Sequence, residues 1–82
     1  MNTALRNKKA AFDRIGILGG GQLGMMLCEA ARRLGVTVTV VTDDPTSSAV
    51  YVADQSIVAP LDDLSAVARL VEASDVVTFE LE

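Results

Sequence analysis

Three consecutive glycines follow directly on the first aliphatic run of the chain. Few folds accommodate that arrangement except a strand that turns sharply into a helix. The run is Arg14–Leu18, and the glycines open the hexapeptide Gly19-Gly20-Gly21-Gln22-Leu23-Gly24, which matches G-x-G-x-x-G. Gly19 permits the tight turn out of the strand, Gly21 lets a ligand approach backbone without meeting a Cβ, and Gly24 allows a helix to pack closely on a sheet. Amide groups at the start of the helix, near Gln22 and Leu23, carry partial positive charge and suit an anion or a ribose phosphate. The hexapeptide alone does not specify a ligand. Its setting, with a strand before it and a helical pattern after it, makes it a ligand-facing loop.

The rest of the chain continues the alternation. Leu23, Met26, Leu27, Ala30, Ala31 and Leu34 recur at helical spacing and predict one apolar face, with Gly35 placed to end the helix. Val36–Val41 is the clearest strand, and Thr42–Ser48 a loop. A helical turn over Ala49–Ala53 precedes a short strand at Ser56–Val58. Pro60 breaks the chain, and Asp62 or Asp63 can cap a second helix with the stripe Leu64, Val67, Ala68 and Val71. Asp75–Phe79 begins a fourth strand. Strands alternating with helices predict an α/β fold, a Rossmann-like half with a four-stranded parallel sheet in the order 3-2-1-4. The expected organisation is a flexible tail over residues 1–13 and one lobe over 14–82. In that topology strands 1 and 4 are neighbours at the switch point, so Glu80 at the end of strand 4 meets the glycine loop although the two are far apart in sequence.

Composition excludes several functions. With 82 residues the chain is at most one small domain. A domain of that size buries only about 60–65% of its unfolded surface, so marginal stability is expected. Net charge is -4, which argues against nucleic acid or an anionic membrane as the main partner. Arg6, Lys8 and Lys9 read as a solvated tail, and no apolar run is long enough to span a bilayer. The single cysteine, Cys28, falls in the first helix and reads as a core residue; with no histidine, a protein-built metal site is not expected. The cytoplasm is the expected compartment.

Three acids are candidates for ligand contact. Asp43 stands about 20 residues beyond the glycines, where a dinucleotide fold keeps its ribose-binding acid. The favoured reading of Asp43 is a turn-forming acid beside Asp44 and Pro45. Glu80 and Glu82 share one face if strand 4 extends through them, and an acid at the end of a central strand needs a partner such as a ligand hydroxyl or amine. The bland reading of both is a solvated strand end. No nucleophile–base pair and no P-loop lysine is present, so no residue is assigned a catalytic role.

Taken together, Ile15–Met26, Ala30–Gly35, Val52-Ala53-Asp54, Ala59–Asp63 and Asp75–Glu82 resemble the opening of the N5-carboxyaminoimidazole ribonucleotide synthetases, of the ATP-grasp superfamily. The resemblance implies a pre-ATP-grasp lobe of a ligase that uses ATP, with Mg²⁺, to carboxylate 5-aminoimidazole ribonucleotide with bicarbonate in purine biosynthesis. It carries Gln22, Leu23 and Glu80 over as ribonucleotide contacts, Leu23 through its backbone, beside Gly21, which the glycine motif already makes a ligand-facing candidate. Met25 departs from the basic residue that many members have after the last glycine, which weakens a local phosphate clamp. The resemblance further implies that ATP and Mg²⁺ are bound by domains outside these residues, that this chain alone is not active, and that the parent enzyme is a homodimer. Two rivals stand beside it. One is the dinucleotide-binding lobe of an NAD-dependent oxidoreductase, with Asp43 on the ribose. The other is a non-catalytic half-Rossmann module kept for assembly.

Overall fold

The computed structural model describes residues 13–80. Its elements are β1 (Arg14–Leu18), α1 (Gln22–Arg33), β2 (Thr37–Thr42), a 3₁₀ turn (Ser48–Tyr51), β3 (Gln55–Val58), α2 (Leu64–Glu72) and β4 (Val76–Phe79). All strand pairs are parallel, and the order is β3-β2-β1-β4, as the alternating pattern predicts. Of the expected tail, only Asp13 is among the described residues, and its carbonyl accepts from Thr37 N at 3.1 Å. Leu81 and Glu82 lie outside them, and so does the predicted shared face of Glu80 and Glu82.

Local signals set the element ends. Gly35 sits at φ +75°, and the turn closes with Gly35 N donating to Arg32 O and Val36 N to Ala31 O. This is the Schellman ending that a glycine makes easy. Of the two candidate caps for α2, Asp63 serves: its Oδ1 accepts from Ser65 N at 2.9 Å and Ala66 N at 3.1 Å. Those bonds hold its carboxyl below the usual range, the Ala66 amide contributing most.

The sheet separates two apolar clusters. On one face Ile17, Val38 and Val40 pack with Cys28 and Ala31 of α1 and Ala49 of the 3₁₀ turn. On the other, Val41 packs with Ala66 and Leu70 of α2. Cys28 is fully buried, and burial pushes its thiol pKa up, as fits a packing residue.

Both helices turn a different face to the sheet from the one their large aliphatics predict. In α1 the buried residues are Gly24, Cys28 and Ala31, while Leu23, Met26, Leu27 and Leu34 stay exposed. In α2 they are Ala66 and Leu70, while Leu64 and Val71 stay exposed. In α1 the buried residues are small and allow the helix axis to come close to the sheet, whereas α2 inserts Leu70 and rests on Ala66.

β1 and β4 are joined below the sheet by Asp75. Its Oδ2 accepts from the amides of Asp13 and Arg14, both at 3.0 Å, and its Oδ1 accepts from the Arg14 guanidinium at 2.9 Å. These bonds, the Arg14 side chain first, hold the Asp75 carboxyl far below the usual carboxylate range. The folded pKa is lower than the unfolded value of about 3.9, so this stabilisation is complete above that value and is lost as pH falls below it. Acid unfolding followed by circular dichroism should therefore set in as pH falls below about 4, where protonation of Asp75 begins to remove this stabilisation. In Asp75→Asn the melting midpoint should be lower at pH 7, and the wild-type advantage should shrink between pH 4 and pH 2. An advantage that stayed constant over that range would contradict the assignment.

Candidate functional site

The glycine loop, the end of β2 and the end of β4 meet at the carboxyl edge of the sheet. Between them lies a cleft of about 330 Å³ lined by Gly19, Gly20, Gly21, Thr42, Asp43, Asp44, Ser47, Leu61 and Glu80. Residues near the two ends of the sequence thus share one crevice, as the strand order requires.

Each wall has a local cause. Gly19 leaves β1 at φ +115°, a conformation that side chains resist, and its amide donates to Val41 O at 2.7 Å. Gly20 is the sterically demanding position: a Cβ there would stand 2.6 Å from Ser47 Oγ and 2.9 Å from Thr42 Cβ. The Gly20 carbonyl accepts from Ala49 N at 3.0 Å, which fastens the loop after β2 to the glycine loop. The motif accounts for Gly19, Gly21 and Gly24 but not for Gly20. The available signal was that the variable position between the first two motif glycines is itself a glycine.

The opposite wall is a hydroxyl and carboxylate cluster that sequence reasoning took only as a loop. Thr42 Oγ1 accepts from Asp44 N at 3.2 Å and from Ser47 Oγ at 3.2 Å. Asp44 Oδ1 accepts from the hydroxyl of Thr46 at 2.7 Å and its amide at 2.8 Å, and these bonds lower its pKa, the hydroxyl contributing most. Asp44 is thereby consumed in its own turn, whereas Asp43, the first residue after β2, lines the cleft. Glu80 continues the sheet pairing one residue past β4, its amide donating to Leu18 O at 2.9 Å. Its side chain reaches towards α1, with Cγ 3.7 Å from where a Gly24 Cβ would be.

Among the four site residues expected from sequence, Gly21 and Glu80 line this cleft. Gly21 is the N-cap of α1; it has no side chain to cap the helix, and the first turn carries no acid to compete with an anion. Gln22 and Leu23 occupy that first turn, both exposed, beside the cleft rather than in its lining. A second, more apolar hollow of about 770 Å³ adjoins it, walled by Leu18, Val58, Ala59, Pro60 and Leu61, and shares Asp43 and Leu61 with it. That hollow is not legible in the sequence, because its walls come from two loops and two strand ends. No helix among the described residues is long and apolar enough to cross a membrane.

Comparison with known proteins gives a consistent picture. The family model of the ribonucleotide synthetase preATP-grasp domain matches residues 12–82. The N5-carboxyaminoimidazole ribonucleotide synthase of Synechococcus elongatus is 46% identical over 70 residues, 85% of this chain and 18% of that protein. The crystal structure of the N5-carboxyaminoimidazole ribonucleotide synthetase of Thermotoga maritima superposes with a TM-score of 0.81 at 45% identity, over 84% of this chain and 19% of that one. The Staphylococcus aureus N5-carboxyaminoimidazole synthetase, solved in complex with ADP, gives a TM-score of 0.82 at 39% identity, over 84% of this chain and 18% of that one. This chain therefore spans about a fifth of the length of the relatives it matches. The chain belongs to the ribonucleotide synthetase preATP-grasp domain family.

Proposed function

We propose that this chain is the amino-terminal, substrate-binding lobe of an ATP-dependent ligase that carboxylates 5-aminoimidazole ribonucleotide with bicarbonate in purine biosynthesis. The observation that carries the reading is the meeting of the glycine loop with Glu80 in one cleft. The backbone at Gly21, Gln22 and Leu23 offers amide dipoles to the phosphoribosyl part of the ligand, and the Gln22 side chain holds a polar group beside it. Glu80 accepts from a ribose hydroxyl or from the exocyclic amine, the kind of partner that a carboxylate at a strand end requires. ATP and Mg²⁺ are bound by parts of a longer polypeptide, where the phosphoryl chemistry takes place. The lobe's own work is to bind and orient the ribonucleotide.

Amide NMR titration of the chain with 5-aminoimidazole ribonucleotide should shift Gly19–Gly24 and Glu80. Glu80→Gln should weaken that binding by about 10- to 100-fold, the worth of a hydrogen bond to a charged group. Equal affinity of wild type and Glu80→Gln would remove Glu80 from the site. A second reading keeps one observation in its favour, the position of Asp43 in the cleft directly after β2. It predicts NADH-dependent shifts at the glycines and Asp43, so NADH is the second arm of the titration.

A further inference from the structure

β2 is built entirely of β-branched residues and ends on Thr42. Alternation along the strand puts Thr42 on the face of the sheet that carries Val38 and Val40, the face covered by α1. Thr42 is 3% exposed, and a valine of the same shape would fill its place. A buried hydroxyl costs free energy unless it is bonded. Here its bonds all run to one segment, the loop after β2. Thr42 Oγ1 accepts from Asp44 N and from Ser47 Oγ, both at 3.2 Å, and donates to Asp44 O at 3.5 Å. That loop is otherwise closed on itself, with Ser47 N donating to Asp44 O at 3.0 Å and Thr46 N to Asp44 Oδ1 at 2.8 Å. The Thr42 hydroxyl therefore fastens the loop to the end of the strand.

The far end of the same loop reaches the glycines. Ser47 Oγ lies so near Gly20 that an added Cβ would stand 2.6 Å from it, and Ala49 N donates to Gly20 O at 3.0 Å. The Gly20 carbonyl and the Gly21 N–H belong to one planar trans peptide. Whatever fixes the direction of that carbonyl fixes the direction of the amide as well. The restraint matters most in Gly19-Gly20-Gly21, because three glycines in a row have the widest backbone freedom and no side chain to limit it. Gly21 is the N-cap of α1, where the amide groups of a helix lack partners within it.

We propose that Thr42 is a positioning residue for the ribonucleotide cleft: its hydroxyl holds Ser47 and the loop after β2 against Gly20, and so presets the amides that meet the ligand. Thr42 acts through the loop rather than on the ligand. Without that hold the glycine loop has to be ordered at the moment of binding, which costs affinity. The proposal rests on the ribonucleotide reading for its ligand, but its first measurement needs none.

The test compares Thr42→Val, which keeps the shape and removes the hydroxyl, with Thr42→Ser, which keeps the hydroxyl and removes a buried methyl. Hydrogen exchange in the chain of 82 residues comes first. Measured against the amides of β2, exchange of the Ala49 amide should speed up about 10-fold in Thr42→Val and not in Thr42→Ser. Titration with 5-aminoimidazole ribonucleotide comes second. Thr42→Val should bind about 10-fold more weakly, with a melting midpoint within about 2 °C of wild type. Thr42→Ser should bind like wild type, although the lost methyl lowers its midpoint by about 4–8 °C. Ser47→Ala removes the same contact from the loop side and should weaken binding in the same direction. Affinity that followed the melting midpoint, with Thr42→Ser the weaker binder, would reduce Thr42 to a packing residue and overturn the proposal. So would an Ala49 amide that exchanges alike in wild type and Thr42→Val. If the Ala49 amide responds as expected but the wild-type chain does not bind the ribonucleotide, the ribonucleotide reading fails and the hold on the glycine loop stands.

Discussion

Leu70→Ala should leave most of the chain unfolded at room temperature, while Leu64→Ala should be almost silent. Leu70 is fully buried, in contact with the cluster around Val41 and Ala66, whereas Leu64 is 81% exposed in the first turn of the same helix. Truncating a buried leucine costs about 2–5 kcal/mol, the transfer term plus the cavity left behind. A single small core with no disulfide rarely supplies more than about 3–5 kcal/mol in total. The expected loss is therefore comparable with the whole stability of the domain. Urea unfolding followed by circular dichroism measures it directly, and the Leu64→Ala midpoint should fall within error of wild type. A Leu70→Ala variant as stable as Leu64→Ala would mean that α2 does not pack on β1 and β2 in this orientation.

Gly16→Ala should be the second most damaging small change, and Gly24→Ala should be tolerated. A Cβ at Gly16, in the middle of β1, would overlap Ser74 Oγ and stand 3.0 Å from two carbons of Leu70. Ser74 can rotate away only by giving up the 2.6 Å hydrogen bond that its hydroxyl donates to Leu70 O. Leu70 is itself fully buried. Overpacking of this kind costs about 1–3 kcal/mol. At Gly24 the nearest atoms to an added Cβ are 3.5 Å and 3.7 Å away, an ordinary contact distance. There the gain in helix propensity, about 0.5–1 kcal/mol, should make alanine neutral to stabilising. Thermal melts of the two variants decide the matter. If Gly24→Ala proved the worse of the two, α1 would have to lie closer to β1 than α2 does.

The contrast between these glycines shows which parts of the molecule are legible in one dimension. The motif assigns Gly24 to close helix–sheet packing, yet the tightest approach is at Gly16, outside the motif, because α2 rather than α1 lies deepest on β1. Element order, strand order and the two helix ends were legible, since each rests on neighbours within a few residues: Gly35 for the Schellman turn, Asp63 for the cap, the β-branched run for β2. The convergence of the glycine loop with Glu80 was also legible, because strand order follows from chain topology. The polar wall made by Thr42, Asp44 and Ser47 was not. Its hydroxyls acquire their role from contacts across the loop, and isolated Thr and Ser residues read only as turn formers.

The sequence by itself determined the alternation of strands and helices, their parallel order, and the edge of the sheet where the glycine loop meets Glu80. Those follow from local periodicity, capping and the fixed hand of crossovers, none of which needs to know what lies opposite. Only the tertiary structure decided which faces of the helices are buried. Both α1 and α2 carry two apolar stripes, and periodicity favours the one with the larger side chains. In α1 packing on the sheet favours the stripe whose residues let the backbone approach, Gly24, Cys28 and Ala31, and in α2 the one that inserts Leu70 beside Ala66. Close contact along α1 outweighs the burial of a few larger side chains, and the displaced stripe of that helix is left exposed.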